Sequence, residues 1–305
     1  MAADQVSWAA YMLAFNARPP DPRIVGKDAW RQMWEERMEK TPAYLEEWMR
    51  HQTRDSFWEH GSVCEDFAAI QCPVLAVSGW ADGYKNAVFR LLKGLQAETR
   101  GIIGPWAHEY PEVATPTPAI GFLQESLRWW DHWLLGKETG ILKEPRLRAY
   151  IQESLPPRTD YRHRPGRWVG VCDIDHWAVK PSDSGTHVFG IVLESLLLLA
   201  PPPRLVAGTD TDAPGHTAGG LVIPSQLHVG MYGGVWCNFG VVGDYPADQT
   251  PDDAMSLCFQ SPAAAAGEDF LGFPCATLTL LSGAPAFSLE ALMPFSSSSS
   301  SSSSS

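Results

Sequence analysis

No G-x-S-x-G occurs anywhere in the 305 residues of this chain. That pentad places a serine on a tight, strained strand-to-helix turn, and its small flanking residues make the turn possible. Without it, no nucleophile of that type is assignable. Ser78 comes nearest, but it follows Ala76 rather than glycine and lies in an apolar run, so it is read as core packing. There is also no C-x-x-C pair and no Cys/His group at zinc-finger spacing. The six cysteines (Cys64, Cys72, Cys172, Cys237, Cys258 and Cys275) are scattered. They are expected to be buried and reduced, with neither a disulfide framework nor a metal site. Long hydrophobic runs are missing too. The best, Val192 to Ala200, is interrupted by Glu194 and falls far short of the roughly 20 apolar residues that span a bilayer. The first residues, Met-Ala-Ala-Asp-Gln, lack the basic and apolar regions of a secretory signal. Positive charge is scarce, with 23 Lys and Arg against 35 Asp and Glu, a net charge of −12. That balance excludes nucleic acid as the expected partner. The chain is therefore read as soluble and cytoplasmic, with a solvated acidic surface and no membrane partner.

What is present concentrates in two segments. Gly79-Trp80-Ala81-Asp82-Gly83-Tyr84 closes the apolar run Val74 to Ser78, and Gly104-Pro105-Trp106-Ala107-His108 closes Gly101 to Ile103. Tyr84 to Thr99, between them, has helical periodicity. An Asp at one strand end and a His at the next is how the second half of a hydrolase triad is built, where chain order is Ser, then Asp or Glu, then His. Asp82 and His108 are accordingly the expected catalytic acid and base, and Trp80 and Trp106 beside them are candidates for the wall of a substrate pocket or, at least as readily, for packing under the loop. His51 and Asp55, one helical turn apart, are further pocket candidates or else a surface ion pair. His132 is read as structural. Asp252 and Asp253 are read as solvated or turn-capping carboxylates. Tryptophan is plentiful, at 13 residues, as expected of aromatic-lined clefts or of a core.

Composition and periodicity divide the chain. Residues 20–60 read as helices. Asp28 is expected to cap a run whose apolar face is Trp30, Met33, Trp34 and Met38, and Pro42 to open a second with Tyr44, Leu45, Trp48 and Met49. Such helices fit a cap over an active site or ordinary core helices. Residues 70–135 alternate strand, helix, strand, helix, the pattern of a parallel α/β sheet. The last helix, Phe122 to Leu135, is amphipathic and stopped by Gly136. A boundary is expected near 140–145. Beyond it short apolar runs such as 147–151 and 188–193 between turn signals suggest an all-β sandwich. Residues 201–225 read as a long loop, and the serine tract 296–305 as disordered.

These motifs resemble the CocE/NonD hydrolases, the group of cocaine-esterase-like acyl esterases and Xaa-Pro dipeptidyl peptidases. The resemblance rests on 80–84, 104–108 and Leu127-Arg128-Trp129-Trp130-Asp131-His132-Trp133-Leu134. It extends to Pro19-Pro20-Asp21-Pro22, to Trp48 with His51-Gln52 and Arg54-Asp55, and to Pro165-Gly166-Arg167-Trp168. In the β part it includes Gly234-Val235-Trp236-Cys237, Asp252-Asp253 with Ser256-Leu257, and Leu271-Gly272-Phe273-Pro274. It implies a helical cap over residues 1–65 and the C-terminal part of an α/β-hydrolase core over 66–142. An incomplete galactose-binding-like jelly roll over 143–295 would follow. It implies Asp82 and His108 as triad acid and base, a small-molecule ester or short Xaa-Pro peptide as substrate, and no cofactor. The serine nucleophile and an oxyanion-hole tyrosine have no counterpart here. The expectation is thus an inactive fragment of a serine hydrolase, with a non-catalytic remnant carrying a β-sandwich binding module as the alternative. Poor soluble expression is expected from an unpaired sheet edge.

Overall fold

The computed structural model describes residues 2–51, 53–174, 197–198, 228–256, 259–260, 269 and 271–272. The chain divides into two compact units, residues 1–67 and 68–305. The jelly roll expected over 143–295 falls largely outside the described residues, as do the run 188–193, the loop 201–225, Cys258, Cys275 and the serine tract.

The first unit is helical: α1 (Ala2–Asn16), α2 (Pro22–Val25), α3 (Lys27–Lys40), α4 (Tyr44–Arg50) and α5 (Ser56–His60). Local capping explains several of their boundaries. Asp21 accepts the Arg23 N–H at 2.8 Å and Pro22 takes the first position of α2, where its missing N–H costs nothing. Asp55 accepts the Phe57 N–H at 3.1 Å to start α5. The position before α3 belongs to Gly26 at φ +87°, a left-handed value that suits glycine. Asp28 therefore lies inside the first turn rather than capping it. Pro42 stands two residues ahead of Tyr44 rather than within α4. The apolar faces read on α3 and α4 are not core faces, since neither helix buries a residue. Trp30 and Trp34 instead stack on each other at 5.9 Å, and the Trp34 indole donates to the Ala17 carbonyl at 2.8 Å.

The second unit is built on a four-stranded mixed sheet in the order β1 (Val74–Gly79), β2 (Thr99–Gly104), β3 (Leu147–Gln152), β4 (Gly166–Val171). β1, β2 and β3 run parallel, with Val74 opposite Thr99 and Gly101 opposite Leu147, and β4 returns antiparallel. The run 147–151, assigned from composition to an all-β part, is thus the third strand of the α/β sheet, and a boundary at 140–145 does not separate two sheets. The reason is that Leu147 and Ala149 are fully buried beside Ile103, so this run completes the core that β1 and β2 begin. Helix α6 (Lys85–Gly94) crosses from β1 to β2 and α7 (Phe122–Leu135) from β2 toward β3. Val88, Phe89 and Leu92 of α6 pack on Ala76, Ile103 and Leu147, while Ile102 and Trp106 form a second cluster with Ala114. Alternation along β2 explains the division, because Ile102 and Ile103 point to opposite faces. Beyond the sheet, residues 197–198 and 259–260 form a short antiparallel pair, β5 and β6, and Thr250–Asp253 a helical turn, α8. Among the described residues, no helix is long and apolar enough to cross a membrane.

The cysteines differ from expectation. Cys64, Cys72 and Cys172 are exposed, and Cys237 is half-buried. Asp252 is not solvated but buried, with Oδ2 accepting the Tyr232 N–H at 3.1 Å.

Candidate active site

The C-terminal ends of β1 and β2 carry the site, because neighbouring parallel strands deliver their loops to the same edge of the sheet. The pairing continues past the strands: the Trp80 N–H donates to the Gly104 carbonyl at 2.8 Å and the Ala81 N–H to the Trp106 carbonyl at 3.0 Å. That close approach requires Gly79, where a Cβ would lie 2.0 Å from the Trp106 oxygen. The turn after β1 is closed by the Asp82 N–H bonding the Gly79 carbonyl at 3.0 Å. Asp82 Oδ1 then accepts the Tyr84 N–H at 2.8 Å. This Asx-type contact fixes the carboxylate just ahead of α6. On the other loop, the Glu109 carboxylate accepts both the N–H and hydroxyl of Thr115, at 2.8 and 3.0 Å, closing the segment that follows His108.

These turns bring Asp82 and His108 together, with Oδ2 3.1 Å from Nδ1. Asp82 is buried, with 9% of its side chain exposed against 39% for His108. The carboxylate is thus held below the imidazole while part of the ring reaches solvent. Ser78 also donates to Asp82 Oδ2, at 3.3 Å, so its hydroxyl supports the acid rather than standing as simple core packing. With Nδ1 facing the carboxylate, Nε2 is left for proton transfer to or from a bound molecule.

A third segment closes over the pair, one that the sequence motifs flagged only as a landmark. The His108 N–H donates to the Asn238 carbonyl at 2.9 Å, and the buried Asn238 amide donates to the Ala81 carbonyl at 2.9 Å. This ties residues 236–239 to both loops. Tyr84 meets Trp236 at 5.1 Å and His108 at 5.6 Å, and Phe239 meets His108 edge-on at 5.2 Å. Gly83 permits the approach, since a Cβ there would come within 2.8 Å of the Trp236 ring and carbonyl. Cys237 is brought beside Asp82 and His108. Its local sequence carries no sign of this, because the contact spans well over a hundred residues.

The pocket candidates fare differently. Trp106 is 1% exposed, packs against Trp168 at 5.9 Å and donates its indole N–H to the Pro118 carbonyl at 2.8 Å. It is core, not a wall, because its ring folds back under Gly104. Trp80 packs on Phe89 at 5.6 Å and donates to the Tyr150 carbonyl at 2.6 Å. His51 and Asp55 bond each other in the first unit, Nδ1 to Oδ2 at 2.6 Å, as an ion pair at its surface. There the Asp55 carboxylate raises the His51 pKa, partly opposed by desolvation. His132 donates locally through Nδ1 to the Lys137 carbonyl oxygen at 3.0 Å, at the end of α7.

A mixed α/β sheet with an acid and a base on adjacent strand ends is consistent with an α/β-hydrolase-like fold. Residues 1–110 match the family model described as X-Pro dipeptidyl-peptidase (S15 family), in line with the resemblance to CocE/NonD hydrolases read from the motifs. Two solved structures of a CocE/NonD family hydrolase from Staphylococcus aureus are similar to this chain at 14% identity, with TM-scores of 0.34 and 0.33. Each comparison covers 47% of this chain and 24% of the hydrolase, so the chain spans about a quarter of those structures' length. No curated protein matches it.

Proposed function

We infer that Asp82 and His108 are the acid and base of an acyl-transfer triad whose serine nucleophile lies outside these 305 residues. The observation that carries this is the 3.1 Å contact between Asp82 Oδ2 and His108 Nδ1 at the ends of adjacent parallel strands. In the reaction, His108 Nε2 takes the hydroxyl proton as the serine oxygen attacks the substrate carbonyl. It returns that proton to the leaving alcohol or amine as the tetrahedral intermediate collapses. Asp82 holds the tautomer that leaves Nε2 unprotonated and stabilises the imidazolium that follows. The S15 match over residues 1–110 favours esters or Xaa-Pro peptides as substrates. On this reading residues 1–65 form a helical cap, and much of the chain beyond β4 belongs to a galactose-binding-like sandwich.

The 305-residue chain by itself is then without turnover, because an acid–base pair lacking its nucleophile retains at most the modest catalysis of binding. The test is hydrolysis of a nitrophenyl ester and an Xaa-Pro anilide by the purified chain, alongside proton NMR of the imidazole. No turnover is expected, together with a far-downfield imidazole N–H resonance that vanishes in both His108→Gln and Asp82→Asn. Turnover abolished by His108→Ala would show that the nucleophile is in this chain, and absence of the resonance would remove the acid–base pair.

A further inference from the structure

The groups converging on Asp82 make more than an acid–base pair. A carboxylate oxygen of Asp82, a ring nitrogen of His108 and Sγ of Cys237 all lie within 4.8 Å of one another. One hard oxygen, one imidazole nitrogen and one thiol sulfur form a donor set that suits Zn2+, which accepts all three, and suits Mg2+ or Ca2+ poorly. We propose that Asp82, His108 and Cys237 bind a zinc-type divalent ion, leaving a fourth position open on the solvent side of His108.

The geometry supports this at each ligand. A tetrahedral Zn2+ with bonds of about 2.0–2.3 Å sets its ligand atoms about 3.3–3.8 Å apart. The Asp82–His108 separation of 3.1 Å is already close to that, and since all three ligand atoms lie within 4.8 Å of one another no pair has to close by more than about an ångström. Good metal sites orient their ligands with a second set of hydrogen bonds, and such bonds are present. Asp82 takes the Tyr84 N–H and the Ser78 hydroxyl. The backbone next to Cys237 is fixed by the two bonds of buried Asn238 to His108 and Ala81. Three ligands with a fourth side open is the pattern of a reactive or exchangeable zinc rather than a closed structural one. Binding forms three metal–ligand bonds, shifts the His108 proton from Nδ1 to Nε2 and releases the thiol proton to solvent. It also occupies His108, so a metal-loaded site is unavailable for proton transfer. The site rests on the position of Cys237 and does not depend on the hydrolase reading.

The test uses the reduced, metal-free 305-residue chain. Titration with Co2+ is expected to give one equivalent per chain and a near-ultraviolet thiolate-to-cobalt absorption, bleached when Zn2+ is added. That absorption should disappear in Cys237→Ser, persist in the Cys64→Ser/Cys72→Ser/Cys172→Ser variant, and require at least tenfold more Co2+ in Asp82→Asn. In the unmodified chain, Zn2+ should slow alkylation of Cys237, read by mass spectrometry, while exposed Cys64, Cys72 and Cys172 react as before. No charge-transfer absorption, an absorption that survives Cys237→Ser, or alkylation of Cys237 unaffected by Zn2+ would each overturn the site. The alkylation measurement keeps the proposal open to refutation even where a variant fails to fold. None of these readouts involves hydrolysis, so their failure is distinct from that of the acid–base reading.

Discussion

Helices α6 and α7 occupy equivalent places in the chain, each crossing between neighbouring parallel strands, and both carry an apolar stripe at helical spacing. Their fates differ. α6 buries Val88, Phe89 and Leu92 against β1 and β2. α7 buries Trp129 alone, while Leu123, Leu127, Trp130, Leu134 and Leu135 stay exposed. What holds its first turns is largely polar: Glu125 bonds Arg148 at 2.7 Å, and Arg128 bonds Glu144 at 2.5 Å. Periodicity shows which face of a helix is apolar, but not whether a surface lies opposite it. A cavity of about 370 Å3 lined by Ile102, Ile120, Glu125, Arg148 and Trp168 opens on the face of β2 away from α6. The side facing α6 is filled.

The sharpest way to break this comparison is to truncate a leucine in each helix. Leu92 is 1% exposed and Leu127 is 60% exposed. Leu92→Ala leaves a cavity between α6 and Gly101 and is expected to destabilise the second unit by about 2–5 kcal/mol. Leu127→Ala should change stability by no more than about 0.5 kcal/mol, and should raise solubility by thinning the exposed stripe. Urea unfolding followed by tryptophan fluorescence measures both. Equal losses would mean that the α7 stripe is covered in solution.

How much of this was legible in the sequence follows from the range of the interactions involved. Asp82 and His108 were visible because each sits a few residues past a short apolar strand, so local pattern fixed both the strand and the turn. Helix α7 was visible to the residue, since Gly136 takes a left-handed φ of +66° at its end as a helix-stopping glycine should. β3 was misassigned because an edge strand of a sandwich and a buried strand of a parallel sheet share the same five-residue apolar pattern. Only the pairing of Gly101 with Leu147 separates them. Trp106 read equally as pocket wall or as packing because it adjoins His108, and only the structure separates the two, its ring being turned into the core with a bond to Pro118. Cys237 was beyond reach, because its partners are brought to it by the Asn238 carbonyl accepting the His108 N–H and the Asn238 side-chain amide donating to Ala81, bonds that no periodicity encodes.

An intermediate effect comes from removing the polar anchor of α7. Burial raises the Glu125 pKa, but the guanidiniums of Arg148 and Arg128 outweigh it and hold the carboxyl below the ordinary glutamate value. A depressed carboxylate contributes stability that is present above its unfolded pKa of about 4.3 and is lost as pH falls through the lower folded value. Glu125→Gln should therefore cost on the order of 1 kcal/mol at neutral pH, with the gap between variant and parent closing as pH drops below about 4. Thermal melts across that range measure it. A gap independent of pH would mean that shape rather than charge anchors α7, bringing it closer to α6.

The smallest effect tests the far end of the same scale, a helix that buries nothing. In α5 the local supports include the Asp55 cap, the ring of His51 stacked on Phe57 at 4.3 Å, and the Trp58 indole donating to the His51 carbonyl at 2.9 Å, with Asp55 Oδ2 bonded to His51. The bond to Asp55 raises the His51 pKa above its ordinary value, opposed by desolvation and helped by Glu47. Stability from a raised histidine is present below its unfolded pKa of about 6.5 and is lost as pH rises through the folded value. Asp55→Asn keeps a capping oxygen but removes the charge, so it should lower the His51 titration midpoint while leaving the α5 amides protected. Asp55→Ala removes both, and should lower the midpoint and unprotect the Phe57 amide. Histidine NMR titration and amide exchange read the two separately. A midpoint unmoved in Asp55→Asn would mean that the aromatic stack rather than the ion pair positions His51. The support of α5 would then rest more on aromatic packing, as α6 rests on apolar packing, though made at the surface by His51, Phe57 and Trp58.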